Sequence, residues 1–239
     1  MKKLLLSLLT FAAITTFGQK TAVINDPDAV ERNIEKGFSA IQVSSGIDLF
    51  LTQGDEEAIA VSASDEKYLD GLKTEVVNST LKIYYDSKGF NWTTGDKKKL
   101  KAYVSFKTLV KLKASAGSRV SVNGIIKTSN LNLNVSSGAD FKGELDVTGL
   151  TVDLSSGSGA DISGRAEKLI VDVSSGAHFK GYDFEADFCD AKASSGASVN
   201  ITVNKELDAK ANSGGNIRYK GEAVIKDIKI NGGGAIKKA

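Results

Sequence analysis

What most constrains this chain is a short phrase that returns at a nearly fixed distance, Ser-Ser-Gly or a near variant, seven times in the second half of the sequence. The copies stand at Ser115-Ala116-Gly117, Ser136-Ser137-Gly138, Ser155-Ser156-Gly157, Ser174-Ser175-Gly176, Ser194-Ser195-Gly196, Asn212-Ser213-Gly214 and Asn231-Gly232-Gly233. Counted from glycine to glycine, the steps are 21, 19, 19, 20, 18 and 19 residues. That period is too regular for chance and too short for a propeller blade or a helical repeat. It fits one coil of a β-solenoid.

Aligning the copies on the glycine shows columns of fixed chemistry. Seven residues before it stand Val110, Leu131, Leu150, Leu169, Cys189, Leu207 and Lys226. Five before it stand Leu112, Leu133, Val152, Val171, Ala191, Ala209 and Ile228, and three before it Ala114, Val135, Leu154, Val173, Ala193, Ala211 and Ile230. Apolar residues at every second place, with polar ones between, mark a strand with one face inward. A second inward column follows the corner as Val120, Phe141, Ile162, Phe179, Val199, Ile217 and Ile236. Its third member is reached by treating Ser158-Gly159 as a two-residue insertion and counting from Gly159. The fold expected is an all-β, right-handed parallel β-helix with coils of about 19 residues. Successive coils stack about 4.8 Å apart, so only small side chains tolerate the corner, where Gly frees the backbone and Ser hydroxyls can bond departing backbone groups.

The N-terminal half follows a looser version of the same grammar. Phe38 to Gln53, with Ile41, Val43, Ser44-Ser45-Gly46, Leu49 and Leu51, is an eighth copy about seventy residues ahead of the others. Between lie a strand at Ile59 and Val61, a helical turn opened by Ser64-Asp65-Glu66 through Tyr68 and Leu72, and a hairpin of Thr74 to Val77 and Leu81 to Tyr85 around Asn78-Ser79. A polar loop from Asp86 to Lys99 carries Phe90 and Trp92, and alternation resumes at Leu100, Ala102, Val104 and Phe106. This block is expected to form a small β-rich cap over the first coil, because a bare solenoid end is an unpaired edge.

The first eighteen residues are an expected signal peptide: Lys2 and Lys3, an apolar run from Leu4 to Phe17, and Gly18. Cleavage there would leave Gln19 first, and removing two lysines takes Lys+Arg from 31 to 29 against 29 Asp+Glu, a mature formal charge of zero. Nucleic acid and anionic membrane then lose their electrostatic argument. With 1 Cys and 1 His the chain has no intrachain disulfide, no cysteine-based zinc site and no multi-His or Cys-His catalytic set.

The opening Phe-Ser-Ala-Ile-Gln-Val-Ser-Ser-Gly-Ile-Asp-Leu (38 to 49), the Leu81-Lys82-Ile83 strand and the tandem Val-Ser-Ser-Gly-Ala copies at 135 to 139 and 173 to 177 resemble the head GIN domain family of putative auto-transporter adhesins. The resemblance covers about residues 38 to 239. It implies a β-helix-like fold in exported bacterial proteins and an adhesin role, and it carries over no catalytic residue. The expected organisation is a signal peptide at 1–18, a lead segment at 19–37 and a single solenoid domain at 38–239, with the first coil and cap at 38–108 and regular coils at 109–239.

Candidate binding residues come from the outward positions. Two places past each corner stand Arg119, Asp140, Asp161, His178, Ser198, Asn216 and Ala235. Asp140, Asp161 and His178 on adjacent coils could hold a divalent metal or act as acid and base on a glycan, but the mixed charge of the column suits a solvated face better. Asp190, Asp208 and Asp227 form another column beside Lys192, Lys210 and Lys229, either a solubilising stripe or a surface for a charged glycan. Phe90 and Trp92 could stack on a sugar ring or seal the cap. Cys189 falls on an inward column and should be a small buried hydrophobe. The reading is a non-catalytic exported solenoid that binds a glycan or a cell-surface protein, with no cofactor, no metal, no nucleic acid and no transmembrane span. Its alternatives are a polysaccharide lyase or glycan hydrolase of the β-helix type, and a purely structural envelope protein. Periplasm, outer membrane surface and extracellular space all fit, and self-association through the C-terminal coil is a corollary, since the last copy lacks an obvious polar cap.

Overall fold

The computed structural model describes residues 26–87 and 98–239. The expected signal peptide and the loop bearing Phe90 and Trp92 lie outside the described residues. The N-terminal part holds β1 (Val30–Arg32), β2 (Ala40–Val43), β3 (Asp48–Gln53), β4 (Ala58–Ala63), a 3-10 turn (Glu66–Tyr68), β5 (Leu72–Val77), β6 (Thr80–Tyr85) and β7 (Leu100–Phe106). The repeats follow as β8 (Lys111–Ala114), β9 (Arg119–Val135), β10 (Asp140–Leu154), β11 (Gly159–Val173), β12 (His178–Ala193), β13 (Ser198–Ala211), β14 (Asn216–Lys220), β15 (Val224–Ile230) and β16 (Ala235–Lys238). All sixteen strands belong to one hydrogen-bonded sheet wound into a solenoid.

Strands β9 to β13 each run from one corner to the next, and neighbours pair in parallel. The inward columns stack as the period requires: Val152 lies in register with Leu133 on one side and Val171 on the other, and all three are fully buried. At the corners, backbone geometry does the work. In each of the eight corners two consecutive residues take positive φ, for example Ser137 at 54° with Gly138 at 69° and Ser156 at 55° with Gly157 at 70°. The amide of Ala139 donates to the Ser136 carbonyl across the turn at 3.2 Å, the geometry of a type I′ turn. The Gly138 amide donates to the Ser156 carbonyl of the next coil at 3.1 Å, and Gly157 does the same to Ser175 at 3.0 Å. The ladder therefore crosses the corner unbroken. The hydroxyls that bond backbone carbonyls belong instead to the buried Ser118 and Ser158, one residue beyond the corner glycine, at 2.8 Å to Ser115 and to Val135.

Three details of the repeat differ from the sequence reading. Ser158-Gly159 is not an insertion: β11 stacks with Gly159 opposite Asp140 and Ala160 opposite Phe141, so Ala160 holds the inward place assigned to Ile162. Ile162 is buried one inward step further on, opposite Gly143. The buried Ser158 fills the small-residue place that Ala139 and Ala177 fill in the coils on either side. Val110 is 45% exposed, because the chain arrives there by a crossover and Leu109 takes the interior. In the last coil Ile228 and Ile230 sit over Ala209 and Ala211 yet are 42% and 48% exposed, since among the described strands β15 pairs only with β13.

The cap continues the solenoid past its first coil. β2 and β3 form that coil and stack on β8 and β9, while on their other side β6 pairs in parallel with β2 and β7 with β3. β5 closes one face as an antiparallel hairpin strand whose turn residues Asn78 and Ser79 both take positive φ. β4 and then β1 close the other face in antiparallel fashion. The helical turn stops at Tyr68, capped by the Asp65 carboxylate on the Lys67 amide, and Leu72 already begins a strand. Asp26 ties the incoming chain to this sheet: its Oδ2 accepts from Tyr103 Oη at 2.6 Å, Ser62 Oγ at 2.8 Å and Lys101 Nζ at 2.9 Å. These donors, Tyr103 foremost, hold its carboxyl well below the usual range.

Candidate functional site

Each coil has two bends, the uniform Ser-Ser-Gly corner and a far bend, and the outward residues beside them make the candidate surfaces. Beside the corner, one polar column runs in register as Asp48, Arg119, Asp140, Gly159, His178, Ser198 and Asn216. Asp161, expected between Asp140 and His178, is displaced two residues along its strand because Gly159 holds that place. It pairs across the coil with Lys142, at 4.0 Å, and is followed by Lys180 in register. Asp140 and His178 do come together over Gly159: a Cβ there would lie 2.6 Å from Asp140 Oδ1 and 2.6 Å from His178 Nε2. At one end of the column Arg119 is ion-paired to Asp48 at 2.8 Å.

The second expected stripe is present as read. Asp190, Asp208 and Asp227 stack in register, as do Lys192, Lys210 and Lys229. Like charges along each column are offset across it by Lys229 to Asp227 at 2.8 Å and Lys192 to Asp190 at 3.9 Å. One coil earlier Asp172 replaces lysine beside Asp153, and partial burial first, then the Asp172 charge, push the Asp153 carboxyl upward. Cys189 is buried as expected, and burial pushes its thiol well above the ordinary range, which keeps it from acting as a nucleophile.

At the far bend lies a surface the sequence reading did not single out. An open furrow of about 350 Å³ crosses four coils, from β10 to β13. Its floor runs along the strands at Val147 and Ala166, neighbours in register whose own side chains are buried, so that the outward residues on either side of them stand up as walls. Arg165 and Glu185, opposite each other in register, line one wall, Thr148, Glu167 and Asp187 the other, and Asn204 and Lys205 of β13 close one end. Arg165 grips Asp146 with two bonds, Nε to Oδ1 at 2.8 Å and Nη2 to Oδ2 at 3.1 Å. Lys205 pairs with Asp187 at 2.8 Å, Asn204 donates to Glu185 at 3.4 Å, and Glu167 has no ion-pair partner among the described residues. Next to Asp187 the ring of Phe188 is 36% exposed, with Lys205 Nζ 5.6 Å from its centroid. The register shifts of β12 against its neighbours fall at this bend, and they are why the glycine intervals here read 20 and 18. That departure from 19 was the available signal.

These observations define a β-solenoid repeat protein with a capped N-terminal end and charged, in-register outer faces. The chain belongs to the family described as putative auto-transporter adhesin, head GIN domain, whose profile matches residues 37–223. Its fold is shared with crystal structures of similar proteins. One is a putative adhesin from Bacteroides fragilis, 17% identical, with TM-score 0.80 over 90% of this chain and 98% of that one. Another is a putative adhesin from Parabacteroides distasonis, 19% identical, with TM-score 0.70 over 88% and 97%. A putative lipid binding protein from Parabacteroides distasonis, 23% identical, gives TM-score 0.66 over 90% and 97%. No protein with a curated description matches the sequence.

Proposed function

We propose that the mature chain, beginning near Gln19, works outside the cytoplasm as a non-catalytic, adhesin-like protein that holds a glycan or cell-surface protein on the outer faces of its coils. The observation that carries this reading is the register of the outward charges, Asp190, Asp208 and Asp227 beside Lys192, Lys210 and Lys229, on a scaffold of the adhesin family. A repeated, rigid face gives many equivalent contacts at one spacing, which favours multivalent capture over turnover of a single bond. Asp140 and His178, with Asp161 nearby, extend the polar surface around the corner edge and serve contact, since they stand on an outward column open to solvent. The exposed interior residues of the last coil, Ile228 and Ile230, support self-association there.

The test is adherence of purified residues 19–239 to immobilised mucin, to polysaccharide-coated beads and to lipid vesicles, run beside a polysaccharide-cleavage assay. Adherence without cleavage is expected. Turnover of a polysaccharide that disappears in Asp161→Asn would overturn the non-catalytic reading.

A further inference from the structure

The furrow at the far bend has the chemistry of a saccharide subsite, and we propose that it binds an uncharged hexopyranose unit of a glycan. This rests on the adhesin-like reading and gives it a place and a ligand class. Its volume, about 350 Å³, is at the small end of ligand clefts and is open at the top, as a site for one or two rings of a longer chain must be. Several of its polar groups have partners before any ligand arrives: Arg165 is held by Asp146, Lys205 by Asp187 and Asn204 by Glu185, which lowers the ordering cost of binding, while Glu167 stands free among the described residues to accept from a hydroxyl.

The alternation of these groups is what selects a sugar. A hydroxyl donates one hydrogen bond and accepts others, so neighbouring hydroxyls are matched by neighbouring carboxylates and cations. Here Glu167 and Asp187 stand one coil apart on one wall, facing Arg165 and Glu185 on the other. Beside them the exposed Phe188 ring offers a flat apolar face of the kind that takes the C–H face of a pyranose. Two cations, Arg165 and Lys205, against three carboxylates, Glu167, Glu185 and Asp187, leave the furrow one charge negative. A uronic acid or an inorganic anion is therefore disfavoured, and the charged walls give no place to an acyl chain.

Isothermal titration of residues 19–239 with oligosaccharides of mannose, galactose and N-acetylglucosamine, and with oligogalacturonate, tests the assignment. At least one neutral series is expected to bind, with oligogalacturonate at least about tenfold weaker. The double variant Glu167→Lys, Glu185→Lys should lose at least about tenfold in affinity with melting unchanged, because these side chains are exposed, and Phe188→Ala several-fold with the circular dichroism spectrum unchanged. Tighter binding of oligogalacturonate than of every neutral series overturns the assignment, and so does neutral binding that both variants leave intact. If the parent adheres to mucin but binds none of the neutral oligosaccharides at millimolar concentration, the furrow assignment falls and the adhesion reading stands. If the parent titrates with a neutral oligosaccharide yet adheres to no surface, the subsite stands and the adhesion reading falls.

Discussion

The two bends of a coil solve the same problem differently. At the Ser-Ser-Gly corner every coil uses the same type I′ geometry, and a Cβ added at Gly138, Gly157 or Gly176 would meet nothing within 4 Å. The glycines there are required by conformation alone. At the far bend the coils shift register between Lys142 and Glu144, between Asp161 and Gly164, and between Gly181 and Glu185. Gly164 is needed for contact as well as for its φ of +109°, since a Cβ would stand 2.0 Å from the Leu145 carbonyl oxygen. One bend is a hinge copied from coil to coil; the other is fitted individually and is where the furrow opens. A solenoid that keeps one corner invariant is free to vary the other, which separates what specifies the fold from the surface proposed to meet a ligand.

The largest expected loss is in the interior that both bends share. Val152→Asp should cost at least about 4 kcal/mol in chemical denaturation, because it buries a carboxyl among stacked aliphatic side chains. A variant that melts like the parent would refute the stacking. Gly164→Ala at the far bend should follow at about 3 kcal/mol, the sum of a strained φ and a backbone displacement. Gly157→Ala at the corner should cost only about 1 kcal/mol, since open space leaves conformation as the sole penalty. Equal losses at Gly164 and Gly157 would erase the distinction between the bends.

Smaller effects separate the cap from the coils by pH. Asp26 has a depressed carboxyl in the folded state, so its stabilisation is present above the unfolded value of about 4 and is lost as pH falls further toward its folded value. Asp26→Asn should lower the melting point at pH 7 by an amount equivalent to about 1–3 kcal/mol, and the two proteins should converge in strong acid. Asp153 has the opposite sign: its raised carboxyl opposes folding when ionised, so Asp153→Asn should raise the melting point slightly at neutral pH and lose that gain as pH falls through the raised value. A gain that persists in acid would point to packing rather than charge.

The sequence carried the period, the inward columns and the paired charge stripes because stacking forces identical chemistry to recur at identical positions, as with Leu133, Val152 and Val171. It misplaced Ile162 and Asp161 because glycine counting cannot tell an inserted Ser-Gly from a corner followed by a buried Ser158 and a Gly159 lying between Asp140 and His178. It passed over the furrow because Arg165 and Glu185 share a wall without sharing a residue type, and register shifts break the alignment there. Val110 went astray at the crossover from β7 to β8, where the order of coils departs from the order of the chain.

That crossover sets the order in which the chain can assemble. The coil made by β2 and β3 lies between β6 and β7 on one side and β8 and β9 on the other, all of them later in the sequence. As the chain is synthesised this coil waits with both edges open until β6 and β7 have been made, and its second edge stays open until β8 and the start of β9 follow, some seventy residues after Gln53. Closing those long loops is the slow, entropically costly step, whereas each later coil meets a finished template and needs only its own 19 or so residues to settle. Folding should therefore begin with a lag at the cap and then proceed toward the C-terminus in one direction, like a zip fastener engaged from one end.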